Sequence, residues 1–191
     1  KQANLELKKA QNEIINAVDV FKLAVDPKNN DHYLAATGSG LYERASAASG
    51  WSQVRPLPAH DFQYTTAYAV PFDPADSNTF YVGAEGRVYK TADGGSTWSS
   101  VSVNGFVTDI AVTPGGSSYL YATTRKTGYT NGSVYRIAKD MSSATAIKPA
   151  GDFDYNAVVV DPNDSGYDRV FVGGGNYFGT SLLGKIYETT N

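Results

Sequence analysis

Apolar positions along this chain come in short runs, each stopped by proline or a polar turn, and the runs recur in a fixed order. Phe21-Lys-Leu-Ala-Val-Asp-Pro27 leads to His32-Tyr-Leu-Ala-Ala-Thr37, then to Gly40-Leu-Tyr42, and closes near Trp51. Tyr68-Ala-Val-Pro-Phe-Asp-Pro74, Thr79-Phe-Tyr-Val-Gly83, Gly86-Arg-Val-Tyr89 and Trp98 follow in the same order. A third copy runs through Ile110-Ala-Val-Thr-Pro114, Tyr119-Leu-Tyr-Ala-Thr123 and Gly132-Ser-Val-Tyr135. The fourth runs through Ala157-Val-Val-Val-Asp-Pro162, Arg169-Val-Phe-Val-Gly173 and Gly184-Lys-Ile-Tyr187. The prolines at 27, 74, 114 and 162 are spaced by 47, 40 and 48 residues, and the tyrosines at 42, 89, 135 and 187 by 47, 46 and 52.

Each piece of the repeat has a local physical reading. A run ending in Asp-Pro is a buried strand stopped by a residue that cannot donate to the ladder, with the aspartate free to cap the turn that follows. The next run, rich in β-branched and aromatic residues after an Asn/Asp/Ser/Gly turn, is its hairpin partner. Gly-x-(Leu/Val/Ile)-Tyr is a third strand, and the tryptophans at 51 and 98 open a fourth. A four-stranded antiparallel unit of this period is one blade of a β-propeller. The predicted fold is therefore all-β, a propeller of four-stranded antiparallel blades at approximately 18–58, 62–103, 105–147 and 152–191, with the last repeat incomplete. Residues 1–17 stand outside the repeat: Ala3, Leu7, Ala10 and Ile14 form a narrow apolar stripe at helical spacing, so a short N-terminal α-helix is expected there, as a linker or an assembly element.

Composition narrows the function classes. The chain has 191 residues, 41% hydrophobic and 18% charged, enough to bury a core. Its formal net charge of −3 offers no basic field for a phosphate backbone, so nucleic acid is not an expected partner. Cysteine is absent, which removes disulfides, thiolate metal sites and a thiol nucleophile. No stretch is long and apolar enough for a membrane-spanning helix. A Cys-free surface rich in Tyr, Ser, Thr, Asn and Gly suggests an exported protein, extracellular or on the cell surface, with the periplasm as the alternative.

The turn Thr91-Ala-Asp93-Gly-Gly95-Ser-Thr97-Trp98 resembles the Asp-box, or BNR, repeat, whose pattern is Ser/Thr-x-Asp-x-Gly-x-Thr-Trp. Proteins with that repeat include sialidases, family 74 glycoside hydrolases of the xyloglucanase type, sortilin-type receptor ectodomains and photosystem II assembly factors, all β-propellers. The other copies are degenerate: Ser49-Gly50-Trp51 in the first and Ala138-Lys-Asp140 in the third. The fourth reaches Glu188-Thr-Thr-Asn191 where a Gly and a Trp would follow, so the expectation is a fragment of a larger propeller or a blade completed from elsewhere.

Thr91, Asp93, Gly95, Thr97 and Trp98 read as structural: the carboxylate can accept bonds within its own turn while the indole is buried between sheets. Asp26, Asp73 and Asp161 punctuate strand ends in the same way. A sialidase needs an arginine triad, and Arg44, Arg55, Arg87, Arg125, Arg136 and Arg169 do not form its motif. Family 74 enzymes use two carboxylates across a cleft, yet Thr37-Gly-Ser-Gly40 lacks the aspartate that family carries there. Asp61, Asp109, Asp152 and Asp154 are left without a role, and no catalytic residue is nominated. His32 and His60 lack ligand spacing, so no metal site and no cofactor are expected.

Long insertions at 124–131 and 174–183 fall at one kind of connection, and loops of one kind gather on one face. Arg125, Tyr129, Asn176, Tyr177 and Phe178 in those loops supply cation, amide and aromatic surface for a carbohydrate or protein partner. The function expected is a non-catalytic extracellular or cell-surface module for protein or glycan recognition or for assembly, self-assembly through the N-terminal helix or the incomplete last blade included. The alternative is a fragment of a glycoside hydrolase, family 74-like or sialidase-like, with catalytic carboxylates partly outside this segment.

Overall fold

The computed structural model describes residues 19–54, 66–115, 117–126, 131–147, 154–175 and 184–189, and all regular elements among them are β-strands in antiparallel sheets. The all-β antiparallel expectation is met. The helix expected at 1–17 lies outside the described residues.

The first unit consists of β1 (Val20–Asp26), β2 (Asn29–Thr37), β3 (Gly40–Arg44) and β4 (Ser52–Gln53), hydrogen-bonded in that order. β1 stops where the proline rule places its end, and the Asp26 carboxylate caps the turn by accepting the Lys28 N–H at 2.8 Å. Asp73 takes the Ala75 N–H at 2.9 Å and Asp161 takes the Asn163 N–H at 2.9 Å, so all three strand-end aspartates do the same work.

The next sheet runs β10-β9-β8-β7-β6-β5, from β5 (Phe72–Asp73), β6 (Asp76–Thr91), β7 (Ser99–Val112), β8 (Tyr119–Arg125), β9 (Val134–Ala138) and β10 (Ala144–Ala146). It holds two repeat units. β6 folds back on itself at Glu85-Gly86: the Lys90 ammonium lies 5.9 Å from the Tyr81 ring centre, whereas an unbroken strand would hold these residues about 30 Å apart. Gly86 makes the reversal with φ of 71°. β7 bends at Gly105, φ 93°; before it the strand pairs with β6, after it with β8, and Glu85 opposite Phe106 joins the two units. The fourth unit contributes β11 (Asp154–Val160), β12 (Val170–Gly175) and β13 (Gly184–Glu188).

Successive units stack face to face through three apolar layers. Leu34, Ala36 and Leu41 of the first unit meet Phe72, Phe80, Val82 and Tyr89 of the second. Tyr81 and Val88, on the opposite face of that second sheet, meet Val107, Leu120 and Ile137 of the third. Tyr121 and Val134 then meet Tyr155, Val158, Val170 and Val172 of the fourth. Each inner unit thus buries both faces, and the alternation of side chains along the strands sets the register between the irregularities at Val20/Lys22, Tyr155/Ala157, Glu85/Arg87 and Val107/Asp109. The described residues form a row of units and do not close a ring.

The strands that open the units converge. The Lys22 ammonium on β1 lies 3.1 Å from Asp109 Oδ1 on β7, and Asp109 Oδ2 accepts the Val158 N–H of β11 at 3.2 Å. A cavity of about 420 Å³ lies among these strands, lined by Lys22, Val25, Phe72, Asp109 and Ile110 among others.

Candidate ligand-binding face

Three aromatic rings from three different units meet where the opening strands begin. Phe21 on β1 lies 5.2 Å from Tyr68, which precedes β5, and Tyr68 lies 5.4 Å edge-on from Phe106 on β7. Arg125 ends β8 opposite Phe106, which sets its guanidinium 5.1 Å from the Phe106 ring centre and 5.7 Å from that of Tyr68. Burial pushes the Tyr68 phenol above its usual value; the Arg125 charge opposes that and Glu85 adds to it. The phenol therefore remains a hydrogen-bond donor through neutral and mildly alkaline pH. Next to it the Lys126 N–H donates to Asp154 Oδ1 at 2.5 Å, tying the end of β8 to the fourth unit.

This face combines flat rings with a planar cation, and Phe21 is 44% exposed. Ring faces are electron-rich and take the C–H faces of sugars, while the guanidinium and phenol offer donors to hydroxyl oxygens. Arg125 is the one nominated loop residue whose position is described. Tyr129, Asn176, Tyr177 and Phe178 lie outside the described residues.

In the Thr91–Trp98 turn the carboxylate is wholly engaged by its own segment. The Thr97 hydroxyl donates to Asp93 Oδ2 at 2.6 Å, and the Thr97 N–H and the Thr91 hydroxyl both donate to Oδ1 at 2.8 Å. These bonds, the Thr97 hydroxyl foremost, bring Asp93 down to about 2. Gly95 has φ of 92°, and a Cβ there would stand 2.8 Å from Val54 Cγ1, so the turn needs glycine. The Trp98 indole donates to Gly95 O at 3.1 Å and packs edge-on 5.6 Å from Phe80.

One cluster escaped the sequence reading. His32 Nδ1 lies 3.0 Å from Asp26 Oδ2 and Nε2 lies 2.8 Å from Glu43 Oε1, with Phe72 edge-on at 4.9 Å. Asp26 is fully buried and also accepts the Ser77 hydroxyl of the second unit at 2.9 Å. Burial works to raise its pKa, but the bonds from Lys28, Ser77 and His32 outweigh it and hold it below the ordinary value. Both imidazole nitrogens are occupied, so the cluster is a joint between units. Sequence spacing of 6 and 11 residues hid it; only the β1-β2-β3 register brings the three together.

Of the carboxylates without a role, Asp109 and Asp154 are described, and both accept backbone N–H groups of another unit. Asp61 and Asp152 lie outside the described residues. Among the described residues no group of three or more His, Asp or Glu could hold a metal ion.

No protein-family profile matches the chain. Over 83 residues, 42% of its length, it is 35% identical to a probable oligoxyloglucan-reducing end-specific xyloglucanase of Neosartorya fischeri. Over 83 residues it is 32% identical to an oligoxyloglucan-reducing end-specific xyloglucanase of Emericella nidulans. The chain spans 10% of the length of each of these relatives. Among solved structures, 87% of it superposes on 28% of a family 74 xyloglucanase from Xanthomonas campestris with a TM-score of 0.65 and 19% identity. It also superposes on an ancestral family 74 enzyme, TM-score 0.50 at 17% identity, covering 93% of this chain and 33% of that one. With a putative TolB from Agrobacterium tumefaciens the TM-score is 0.60 at 14% identity, covering 87% of this chain and 60% of that one. The chain shares its fold with parts of these solved structures, and the two sequence relatives are named as xyloglucanases.

Proposed function

We propose that this chain is a β-propeller segment of an extracellular, glycan-active protein of the xyloglucanase type, and that its aromatic face meets a polysaccharide chain. The observation that carries this is the 35% identity over 83 residues to a xyloglucanase. In this reading the four units at about 18–58, 62–103, 105–147 and 152–191 are blades, and Thr91–Trp98 is an Asp-box that holds its hairpin. The segment supplies binding, because Asp93 is engaged by Thr91 and Thr97, Asp109 by Lys22 and the Val158 N–H, and Asp154 by the Lys126 N–H; any pair of hydrolytic carboxylates of the whole protein includes residues beyond these. This reading replaces the non-catalytic recognition module as the leading one, since the similar proteins are hydrolases.

Calorimetric titration with xyloglucan oligosaccharides tests it. Saturable binding is expected, weakened about tenfold or more by Phe106→Ala with the fold intact, since each tenfold is about 1.4 kcal/mol. Absence of binding to xyloglucan and to other β-glucans overturns it.

A further inference from the structure

The four units share a three-residue position at the end of their opening strand, and strand register identifies its members. Val25 pairs with Tyr33, Phe72 with Phe80, Val112 with Leu120 and Val160 with Val170. The first place, after the first residue of each pair, holds Asp26, Asp73, Thr113 or Asp161. The middle place, before the second residue, holds His32, Thr79, Tyr119 or Arg169. The third place follows the tyrosine of the third strand and holds Glu43, Lys90, Arg136 or Glu188.

In the fourth unit a permanent cation stands between two carboxylates. Arg169 donates through Nη1 to Asp161 Oδ2 at 3.2 Å and through Nε to Glu188 Oε1 at 2.7 Å. His32 bridges the same two places in the first unit, with Nδ1 3.0 Å from Asp26 Oδ2 and Nε2 2.8 Å from Glu43 Oε1. Where the third place is basic the middle is uncharged: Thr79 goes with Lys90, and Tyr119 goes with Arg136, whose guanidinium lies 4.2 Å from that ring centre. The middle place therefore follows the charge beside it, and Asp26 with Glu43 calls for a cation. An ionised carboxylate only accepts hydrogen bonds, so an imidazole between two of them satisfies both only when both of its nitrogens carry protons.

Histidine, unlike arginine, can give up that charge. The two carboxylates are unequal when it does. Asp26 is fully buried and also takes the Lys28 N–H and the Ser77 hydroxyl, whereas the Glu43 side chain is 24% exposed. The proton that leaves is the one on Nε2, because Glu43 can turn to water and Asp26 cannot. The other groups of the joint do not replace it. Phe72 meets the ring edge-on at 4.9 Å, the Lys28 ammonium donates to Ala75 O, and the Asp76 carboxylate takes the Asn78 N–H and the Thr79 hydroxyl.

We propose that His32 is a proton-operated clamp on the first unit, closed between β1 and β3 while the imidazole carries both protons and opened at Glu43 when it loses one. The Arg169 clamp of the fourth unit is the same device without the switch. This inference does not depend on the glycan reading.

Thermal unfolding of the 191-residue chain, His32→Gln and His32→Arg from about pH 5 to about pH 9, across the imidazole range, tests it. The closed clamp holds a proton in the folded state, so its stabilisation is present in acid and lost as the pH rises. The Tm advantage of the protein over His32→Gln is expected to fall at least about twofold across that range, while the advantage of His32→Arg over His32→Gln stays constant. His60 is common to all three chains and cancels in these differences. Nitrogen NMR of the His32 imidazole gives a second readout that needs no substitution: both nitrogens protonated at the acid end, Nδ1 alone at the alkaline end. A Tm advantage over His32→Gln that does not change with pH, a single protonation state throughout, or the Nε2–H form at the alkaline end overturns the proposal.

Discussion

Lys22 on β1 and Asp109 on β7 form an ion pair of 3.1 Å across the whole of the second unit, which separates them in sequence. The first and third units therefore touch at the strands that open them, and the stack of sheets is curved about those strands. Asp109 does more than Lys22 there, because its second oxygen accepts the Val158 N–H of the fourth unit at 3.2 Å. The two partners differ in exposure as well, 45% for the lysine and 19% for the aspartate side chain.

That asymmetry predicts unequal substitutions. Lys22→Ala breaks a half-exposed pair and is expected to cost less than about 1 kcal/mol. Asp109→Ala also strands a backbone donor and is expected to cost about 2 kcal/mol. Urea unfolding of the two variants checks this; equal losses would mean that the joint is only the surface pair.

Gly83 on β6 stands close against Val107 of the next unit. A Cβ there would stand 2.4 Å from Val107 Cγ1 and 3.2 Å from Ala69 Cβ. Gly83→Ala is expected to destabilise by about 1–3 kcal/mol through overpacking, with part of the loss recovered in the double variant with Val107→Ala. Gly105→Ala is expected to cost more and to resist rescue, since at φ of 93° its Cβ would meet a backbone atom, Arg125 O, at 2.3 Å. Simple additivity in the Gly83/Val107 cycle would refute the contact.

The all-β, antiparallel character was legible because short apolar runs alternate with turns and place apolar side chains on both faces of the inner sheets, as Phe80, Val82 and Tyr89 against Tyr81 and Val88 illustrate. The capping role of Asp26, Asp73 and Asp161 was legible for a local reason, a carboxylate beside a proline. What could not be read depends on contacts between units. Phe21, Tyr68 and Phe106 are far apart in sequence and meet only through stacking, so of this aromatic cluster only Arg125 was singled out. The His32 joint requires a register that no spacing rule encodes, and β7 crosses from one unit to the next through Gly105 without a break that composition would mark.

Acid should expose the work of Asp93. Its folded-state pKa is drawn from 3.8 to about 2 by the Thr97 hydroxyl first and then by the Thr97 N–H and the Thr91 hydroxyl. A depressed carboxylate pKa contributes stability that is complete above the ordinary value and lost as pH falls through the folded one. The Tm difference between the protein and Asp93→Asn is therefore expected to be constant above 3.8, to shrink below it, and to close near about 2. A difference that persists unchanged to lower pH would show that the carboxylate charge does not hold the turn.

Arg125 tests whether the aromatic face is a binding surface or only a packing one. Its guanidinium spans two rings, 5.1 Å from Phe106 and 5.7 Å from Tyr68, and it is exposed at the end of β8. An exposed cation over a ring contributes only about 0.5–1 kcal/mol, so Arg125→Ala and Arg125→Lys should both leave unfolding nearly unchanged. For a sugar ligand the two differ, because lysine keeps the charge but loses the planar fork that can donate two parallel bonds to neighbouring hydroxyls. If the face binds glycan through that fork, Arg125→Lys weakens xyloglucan oligosaccharide binding nearly as much as Arg125→Ala. If charge alone matters, lysine restores affinity and added salt weakens it; if neither variant changes affinity, the guanidinium serves the packing of Tyr68 and Phe106 and the ligand sits elsewhere.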